Sequence, residues 1–364
     1  MLDMQRDGKR MKREDFIPDV IWIRREDGWM IPLDRADNPD AWLKLVNSDD
    51  SIVTQADDGT DEYNGKGIIP TSSSSAPRVM SRMLDLLDVR EGMDVLEIGA
   101  GTGYNAAVLA ERAAPGRVTT VEVDPVIAEH ARQALRRTGH PVTVVTGDGV
   151  LGYPDGAPYD RMMATASALQ IPYAWVEQTR PGGRIVLPLV SGFFECQAFL
   201  CLTVDGDGTA QGRFHDVAGF MRLRNQRDDA ALWGDNEDDA RITTTRLYPR
   251  APFTEFEAGF ALGLMLPGWV AGQREACDGT EILRVSHFAS GSWASFSSGT
   301  DEHEVRQYGP RRLWDELEAA YDRWLRAGRP DHTRFGATIT PEGQSFWLDV
   351  PEQVVSADRR AVSS

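Results

Sequence analysis

The sequence has little cysteine and no long apolar run. Its three cysteines, Cys196, Cys201 and Cys277, are odd in number and lack metal-site spacing. This pattern argues against a disulfide scaffold or a zinc cluster and favours a reducing cytoplasm. No segment approaches the roughly 18 to 20 apolar residues that span a bilayer, and the charged start has no apolar core typical of a signal peptide. We therefore expect an unexported protein with no membrane partner.

The sequence also lacks a basic patch. Its formal net charge is −17, and a chain this acidic repels phosphate backbones unless it concentrates its cations. Nucleic acid is therefore not an expected partner. Arg222, Arg224, Arg311 and Arg312 are candidates for contact with an acidic peptide, although surface arginines are more often simply solvated. With 41% apolar and 26% charged residues the composition is globular, and 364 residues predict two or three domains.

In the middle of the chain, β-branched runs alternate with helical patterns. We expect strands at 94–98, 118–123, 142–146, 159–165 and 184–189, and helices at 104–112 and 125–138. This alternation predicts an α/β fold with a doubly wound, mostly parallel sheet. Further runs at 196–204 and 217–223 predict an antiparallel hairpin at the sheet edge.

The regions on either side of this α/β segment have different sequence patterns. Residues 1–72 predict an N-terminal cap, 73–224 the α/β domain, 225–240 an acidic connector and 241–364 a C-terminal α+β accessory region. In the last region, 256–266 and 281–297 read as strands. Residues 311–327 predict an amphipathic helix, whose spacing favours core packing over a peptide-binding face. The serine run 71–75 stands just before Pro77, which predicts that it lies near the N-cap of a helix rather than in a flexible linker.

A glycine cluster follows the first predicted strand, where EIGAGTGYN leads directly into a helix. Glycines at such a turn let the backbone bend tightly and let a ligand approach it, and the helix N-terminus offers N–H groups to an anion. The spacing is G-x-G-x-G rather than the G-x-G-x-x-G of dinucleotide binders, which favours a ligand anchored by an amino-acid end. A purely structural turn is the alternative.

Acidic residues end the next two strands. Glu122 is placed to accept hydrogen bonds from both hydroxyls of a ribose, and Asp148 from an adenine amino group. Three such elements at three successive strand ends favour a nucleoside cofactor over a nucleotide-free fold. The residues expected to bind it are Glu97, Gly99, Gly101, Gly103, Tyr104, Asn105, Glu122, Val123, Gly147, Asp148 and Gly149.

The segments VLEIGAGTGYNAAVLAE, VTTVEVD, GDG and APYDRMMATASALQIPYAWVEQTRPGGRIVLPL together resemble the protein-L-isoaspartate O-methyltransferase family, from about Ser73 to Leu223. The resemblance implies a class I methyltransferase (Rossmann-like) fold, a carboxyl O-methyltransferase activity, and S-adenosylmethionine as cofactor, with S-adenosylhomocysteine as product. No metal is implied.

The same resemblance implies the catalytic residues. Ser75, in Ser75-Ala76-Pro77, matches the family element whose hydroxyl lies beside the methyl-accepting carboxylate, and Ser73 takes the place of a nearby threonine. Ser74, between them, replaces the usual isoleucine and is included in the expected catalytic set. Arg78 replaces the histidine that follows the proline. About 140 residues follow the matching part, where the family's repair enzyme nearly ends.

A more specific resemblance rests on segments that lie mostly outside Ser73 to Leu223. FIPDVIW, the serine run and GRPDHTRFGATITPEGQSFWLDVP resemble methyltransferases found beside peptide-maturing ATP-grasp ligases. This implies that the partner is a ribosomally made, ester-crosslinked precursor peptide (a graspetide), whose methylated aspartate closes to an aspartimide. Two alternatives stay open: repair of isoaspartyl residues in damaged proteins, and a non-catalytic peptide-binding scaffold with a vestigial cofactor fold.

Overall fold

The computed structural model describes residues 5–6, 9–192, 195–227, 239–245, 247, 251–275, 281–297 and 303–359. Most of the predicted acidic connector, residues 228–238, and Cys277 lie outside these ranges. Within them, no helix combines the length and the apolarity needed to cross a membrane.

The N-terminal region folds around a small antiparallel sheet. Its elements are β1 (Gln5–Arg6), β2 (Lys9–Arg10), β3 (Val20–Arg24), β4 (Met30–Asp34), α1 (Pro39–Val46), β5 (Ile52–Ala56) and β6 (Pro70–Ser74). Strands β3 to β6 pair in the order β4-β3-β5-β6, and Trp42 of α1 is buried in a core with Ile21 and Ile52. The serine run is therefore mostly an extended edge strand, and it ends directly before Ala76, a helix N-cap, which agrees with the prediction that it lies near one. Helix α2 (Pro77–Leu87) does begin at the predicted proline.

The central region is the predicted doubly wound domain. It contains β7 (Val95–Ile98), α3 (Tyr104–Ala113), β8 (Val118–Glu122), α4 (Pro125–Thr138), β9 (Val142–Thr146), β10 (Tyr159–Ala164), α5 (Tyr173–Glu177) and β11 (Thr179–Val190). The five strands are parallel in the order β11-β10-β7-β8-β9. The chain moves outward from β7 to β9 and then returns to β10 on the other side of β7. The crevice beyond the carboxyl ends of β7 and β10 is thus a topological switch point, where such folds bind ligands.

The sheet continues with antiparallel strands. β12 (Gln197–Val204) matches the first strand of the predicted hairpin, but its antiparallel partner β13 (Ala210–Ala218) precedes most of the predicted second strand at 217–223. The hairpin also lies inside the sheet rather than at its edge. β13 pairs with β19 (Phe335–Thr340), and β20 (Gly343–Leu348) and β21 (Val354–Arg359) follow in a ten-stranded sheet. Residues far along the chain therefore extend the central sheet, because the backbone of β19 pairs with the edge of β13. Phe335 at the start of β19 is fully buried.

The remaining C-terminal elements form a second layer. β14 (Arg241–Thr245), β15 (Trp269–Glu275), β16 (Glu281–His287), β17 (Ser292–Ser297) and β18 (His303–Tyr308) pair in the order β14-β18-β17-β16-β15. Three helices accompany them: α6 (Ala251–Thr254), α7 (Phe256–Met265) and α8 (Leu313–Arg326). α8 confirms the predicted amphipathic helix, and its apolar face is buried in the core. The prediction of a strand at 256–266 was wrong, because most of this segment forms α7. That helix is buried on nearly every side, so its sequence lacks the alternation of apolar and polar faces that indicates a helix.

Candidate active site

A cavity of about 1070 Å³ lies at the carboxyl ends of the parallel strands. One wall is the continuous segment 70–76, which comprises β6 and the approach to α2. The floor is the glycine turn after β7, and the far wall is formed by residues 219–225 beyond β13. Elements from the N-terminal region, the central sheet and the segment after β13 therefore meet at one place.

The glycine turn has the conformation that its sequence predicts. Gly99 and Gly103 have φ values of +94° and +83°, which side chains with a Cβ rarely adopt, and Gly103 is the N-cap of α3. A Cβ on Gly101 would lie 3.1 Å from the backbone carbonyl oxygen of Ser73. The serine strand therefore packs directly on the glycine turn, which joins the two predicted parts of the site.

Glu122 closes the cavity beside that turn. One of its carboxylate oxygens accepts a hydrogen bond from the Gly101 N–H at 3.1 Å, and the other accepts one from the Asp124 N–H at 3.1 Å. Burial raises the pKa of the Glu122 carboxyl above its ordinary value. Both oxygens keep further acceptor capacity toward the cavity, which suits a ligand with hydroxyl donors.

Glu97 lies behind the cavity rather than in its wall. It is completely buried, and it accepts hydrogen bonds of 2.6 Å from the Asn105 side-chain amide and from the Thr120 hydroxyl. Burial raises its pKa to about 7. Asn105 does line the cavity, and its Oδ1 atom is buried without a hydrogen-bond partner in the described part of the chain. An ammonium group of a ligand would satisfy that oxygen.

Asp148 also faces the cavity, and a residue far along the chain holds it. The side-chain amide of Asn225 donates a hydrogen bond to one carboxylate oxygen, and the Val150 N–H donates to the other at 3.0 Å. Asn225 is in the short 3₁₀ turn Arg224–Gln226, where the sequence predicted only the start of a connector. Nothing in the local pattern marks this contact, because 77 positions separate the two residues.

The same turn is tied to the rest of the rim by ion pairs. Arg224 lies 3.4 Å from Asp124 and 3.2 Å from Asp58, and Arg227 lies 2.8 Å from Asp58. Gln55 of β5 also donates to Asp124 at 3.0 Å. These contacts hold the N-terminal region and the segment after β13 together across the opening.

The three predicted catalytic serines line the cavity, but they differ in environment. Ser73 and Ser75 are half-buried, with Ser73 inside β6 and Ser75 directly after it. Ser74 is buried, and its hydroxyl accepts a hydrogen bond of 3.1 Å from Nε of Arg13. Arg13 was not among the predicted site residues, because only the folded N-terminal region brings it to the serine strand.

The predicted cofactor-binding residues fall into two groups, those that line the cavity and those that lie behind it. Those that line the cavity are Gly99, Gly101, Tyr104, Asn105, Glu122, Val123, Asp148 and Gly149. Glu97, Gly103 and Gly147 lie outside its lining and shape it from behind. In the described ranges, no three His, Cys, Asp or Glu side chains are grouped so as to hold a metal ion.

Comparison with known proteins identifies the family. The family model "Protein-L-isoaspartate(D-aspartate) O-methyltransferase (PCMT)" matches residues 62–226. Protein-L-isoaspartate O-methyltransferase 2 of Archaeoglobus fulgidus is 47% identical over 154 residues, which cover 42% of this chain and 69% of that protein. The protein-L-isoaspartate O-methyltransferase of Methanopyrus kandleri is 45% identical over 152 residues, which cover 41% and 66%.

These relatives are matched over only part of their own length. In the enzymes of Hyperthermus butylicus and Methanothrix thermoacetophila the match covers 59% and 57% of their length. A solved structure named protein-L-isoaspartate O-methyltransferase is 23% identical, with a TM-score of 0.49 over 85% of this chain and 89% of that one. With its glycine turn, acidic strand ends and serine strand joined in one cavity, the chain belongs to the protein-L-isoaspartate O-methyltransferase family.

Proposed function

We propose that the protein is an S-adenosylmethionine-dependent carboxyl O-methyltransferase that esterifies an aspartate side chain of a modified ribosomal peptide. The observation that carries this proposal is the packing of the Ser73 carbonyl on Gly101, since it brings the serine strand against the cofactor turn. The family relationship supports the reaction type, and the residues beyond the family match support a specialised peptide substrate.

The residues of the cavity fit this cofactor. When bound, S-adenosylmethionine supplies a methyl group activated by its positive sulfur. The unpartnered Oδ1 of Asn105 and the N-terminus of α3 suit the amino-acid end of the cofactor, and Glu122 suits its ribose hydroxyls. Asp148, held in place by Asn225, has acceptor capacity for an adenine amino group.

The chemistry requires orientation more than proton transfer. An aspartate carboxylate, with an ordinary pKa of about 4, is already ionised near neutral pH and needs no general base. Ser75 would donate one hydrogen bond to that carboxylate and aim its second oxygen at the methyl group. Segment 70–76 and the rim ion pairs of Arg224 would exclude water from the carboxylate, which strengthens its attack.

The finer part of the proposal concerns the fate of the ester. A methyl ester is a better electrophile than a carboxylate, so the following backbone nitrogen of the peptide attacks it and closes a five-membered aspartimide with loss of methanol. No enzyme residue is needed for this step. The N-terminal and C-terminal elements, which exceed the residues matched by the family model, support recognition of one constrained precursor peptide rather than of many damaged proteins.

Mass spectrometry with two substrates tests the proposal. The full chain is incubated with S-adenosylmethionine and either an isoaspartyl peptide or the ester-crosslinked precursor encoded nearest to its gene. We expect the precursor to gain a methyl ester and then to show a net loss of one water as the imide forms. Methylation of the isoaspartyl peptide alone would instead establish repair. Failure to bind S-adenosylmethionine in calorimetry would leave only the scaffold.

A further inference from the structure

A second cavity, of about 710 Å³, lies against the C-terminal elements. Its volume is typical of ligand pockets, which measure about 300–1,000 Å³. Helices α7 and α8 and strands β20 and β21 supply most of its lining, and all four follow residue 226, where the family match ends. The second cavity is therefore built largely by the part of the chain that the family relationship leaves unexplained.

A short segment connects the second cavity with the active-site cavity. Residues 165–166 line the active-site cavity, and residues 169–170 line the second cavity. Neighbouring Cα atoms are about 3.8 Å apart, so the Cα atoms of Ala166 and Leu169 are separated by at most about 11 Å. A peptide with its target aspartate beside Ser75 therefore reaches the second cavity within about four to eight extended residues.

The connecting segment is held on two sides. The side-chain amide of Gln226 accepts from the Gln170 N–H at 3.1 Å and donates to the Gln170 carbonyl at 2.8 Å. The side chain of Gln344 accepts from the Ile171 N–H at 3.1 Å, and Asp358 accepts from the Gln170 side chain at 3.1 Å. Strands β20 and β21 therefore fix the wall between the two cavities, which favours binding of one peptide along a defined path.

Ser191 gives the second cavity a polar group that needs a partner. This residue lines the cavity and is only 3% exposed, and its hydroxyl has no hydrogen-bond partner among the residues that the structure describes. Helix α7 packs directly on it because Gly263 has no side chain, and a Cβ there would collide with Ser191. A buried hydroxyl is costly when it stays unpaired, so a hydrogen-bonding group of a ligand would be stabilised here.

The rest of the lining suits a peptide segment better than a phosphate. Its two arginines and two carboxylates cancel in formal charge: Arg311, Arg323, Glu316 and Asp358. Arg311 is moreover hydrogen-bonded to Glu316, with Nε donating at 3.1 Å. Apolar side chains, among them Leu264, Leu266 and Phe346, form much of the remaining lining. A peptide offers backbone hydrogen bonds and apolar side chains together, which matches this combination.

We propose that the second cavity binds a flanking segment of the acceptor peptide, about four to eight residues from the target aspartate. An apolar side chain of that segment packs on the wall formed by Leu264, Leu266 and Phe346, and a backbone group bonds to the Ser191 hydroxyl. This inference rests on the proposed function, and it names the place where the enzyme recognises the substrate beyond the reacting residue.

Filling the second cavity tests the inference. Ala319 is exposed on α8 and lines the cavity, so Ala319→Trp occupies the cavity without altering the core. We expect the KM of the ester-crosslinked precursor of the mass-spectrometric assay to rise about tenfold, because burial of one apolar side chain is lost. The kcat and the dissociation constant of S-adenosylmethionine should change less than twofold. Asp322→Trp, three residues along α8 and outside the lining, is the matched control and should leave KM within twofold.

Ser191→Ala distinguishes ligand binding from a structural role. We expect its KM to rise several-fold, while its free energy of unfolding does not fall, because the hydroxyl has no hydrogen bond to lose in the described part of the chain. A loss of stability with an unchanged KM would show that the hydroxyl serves the fold instead.

Precursors altered at one position identify the bound segment. Each apolar residue within eight positions of the target is replaced by serine, and KM is measured with the unaltered chain and with Ala319→Trp. We expect one replacement to raise KM about tenfold with the unaltered chain and to have no further effect with Ala319→Trp. Equal effects in both chains, or a KM within twofold for Ala319→Trp, would overturn the inference while leaving the proposed function intact. If the unaltered chain does not methylate the precursor, the proposed function fails and the inference fails with it.

Discussion

Arg13 donates hydrogen bonds to both the side chain and the backbone of Ser74: its Nε donates to the hydroxyl at 3.1 Å, and its Nη2 donates to the carbonyl at 2.9 Å. Nη2 also donates to the carbonyls of Ser75 and Asp50, and Nη1 to those of Val46 and Ser48. Burial lowers the pKa of this guanidinium. One planar cation therefore fixes the backbone of the serine strand from behind, which makes it a positioning residue for Ser75.

Replacement of Arg13 by lysine should distinguish the effect of its hydrogen-bond geometry from the effect of its positive charge. Lysine keeps the charge but has three donors and no planar fork, so most of these bonds are lost. We expect the free energy of unfolding to fall by about 2 kcal/mol and kcat to fall about tenfold, while affinity for S-adenosylmethionine changes less than twofold. Urea unfolding measures the free energy of unfolding, steady-state kinetics measure kcat, and calorimetry measures the affinity for S-adenosylmethionine. Arg82→Lys, at an exposed pair with Asp216, is the control, and a normal kcat in Arg13→Lys would refute the positioning role.

The hydroxyl of Ser75 should matter for catalysis but not for cofactor binding. Ser75→Ala removes one hydrogen bond to the reacting carboxylate, so we expect kcat to fall about 10- to 100-fold with the dissociation constant of S-adenosylmethionine within twofold. Ser81→Ala, at the fifth residue of α2 and outside the cavity lining, is the matched control. A parallel loss of cofactor affinity would mean that Ser75 supports the cofactor instead.

Local patterns predicted the elements that obey a simple period. Strand β9 and helix α4 have the predicted bounds, and the glycine turn lies where the sequence placed it. α7 was missed because burial on all sides erases the polar face that reveals a helix. β6 was missed because four consecutive serines carry no alternation, and only pairing with β5 makes them a strand.

Contacts between residues far apart in the sequence were also not predicted. Arg13 meets Ser74 across 61 positions, and Asn225 meets Asp148 across 77. In sequence, each is one polar residue among many, and only the fold shows which partner it reaches. The extension of the central sheet by β19 to β21 was hidden for the same reason, since a strand's sequence does not name its neighbour.

The contact between Asn225 and Asp148 predicts how cofactor affinity responds to charge. Asn225→Asp is nearly isosteric but replaces a donor by a second carboxylate, which repels Asp148 and displaces it from the cavity wall. We expect the dissociation constant of S-adenosylmethionine to rise about tenfold at neutral pH, and less in Asn225→Ala, which only removes the bond. Calorimetry at constant ionic strength measures both. Wild-type affinity in Asn225→Asp would exclude Asp148 from the adenine site.

Glu97 should make stability depend on pH. Burial raises its pKa from 4.5 to about 7, so the folded chain holds a proton that the unfolded chain releases between these values. The contribution of Glu97 to stability is thus fully present below pH 4.5 and is lost as pH rises through 7. Glu97→Gln does not titrate, although it loses one of the bonds from Asn105 and Thr120 at every pH.

The free energy of unfolding of Glu97→Gln should therefore rise relative to the unaltered chain between pH 5 and pH 8, by at most about 3 kcal/mol. Urea unfolding at several pH values measures the difference. Glu129→Gln is the control, because hydrogen bonds from Gln133 and Arg132 lower the pKa of that exposed carboxyl and its difference should stay flat over this range. A constant offset for Glu97→Gln would show that Glu97 stays charged behind the glycine turn, with Asn105 and Thr120 stabilising the anion.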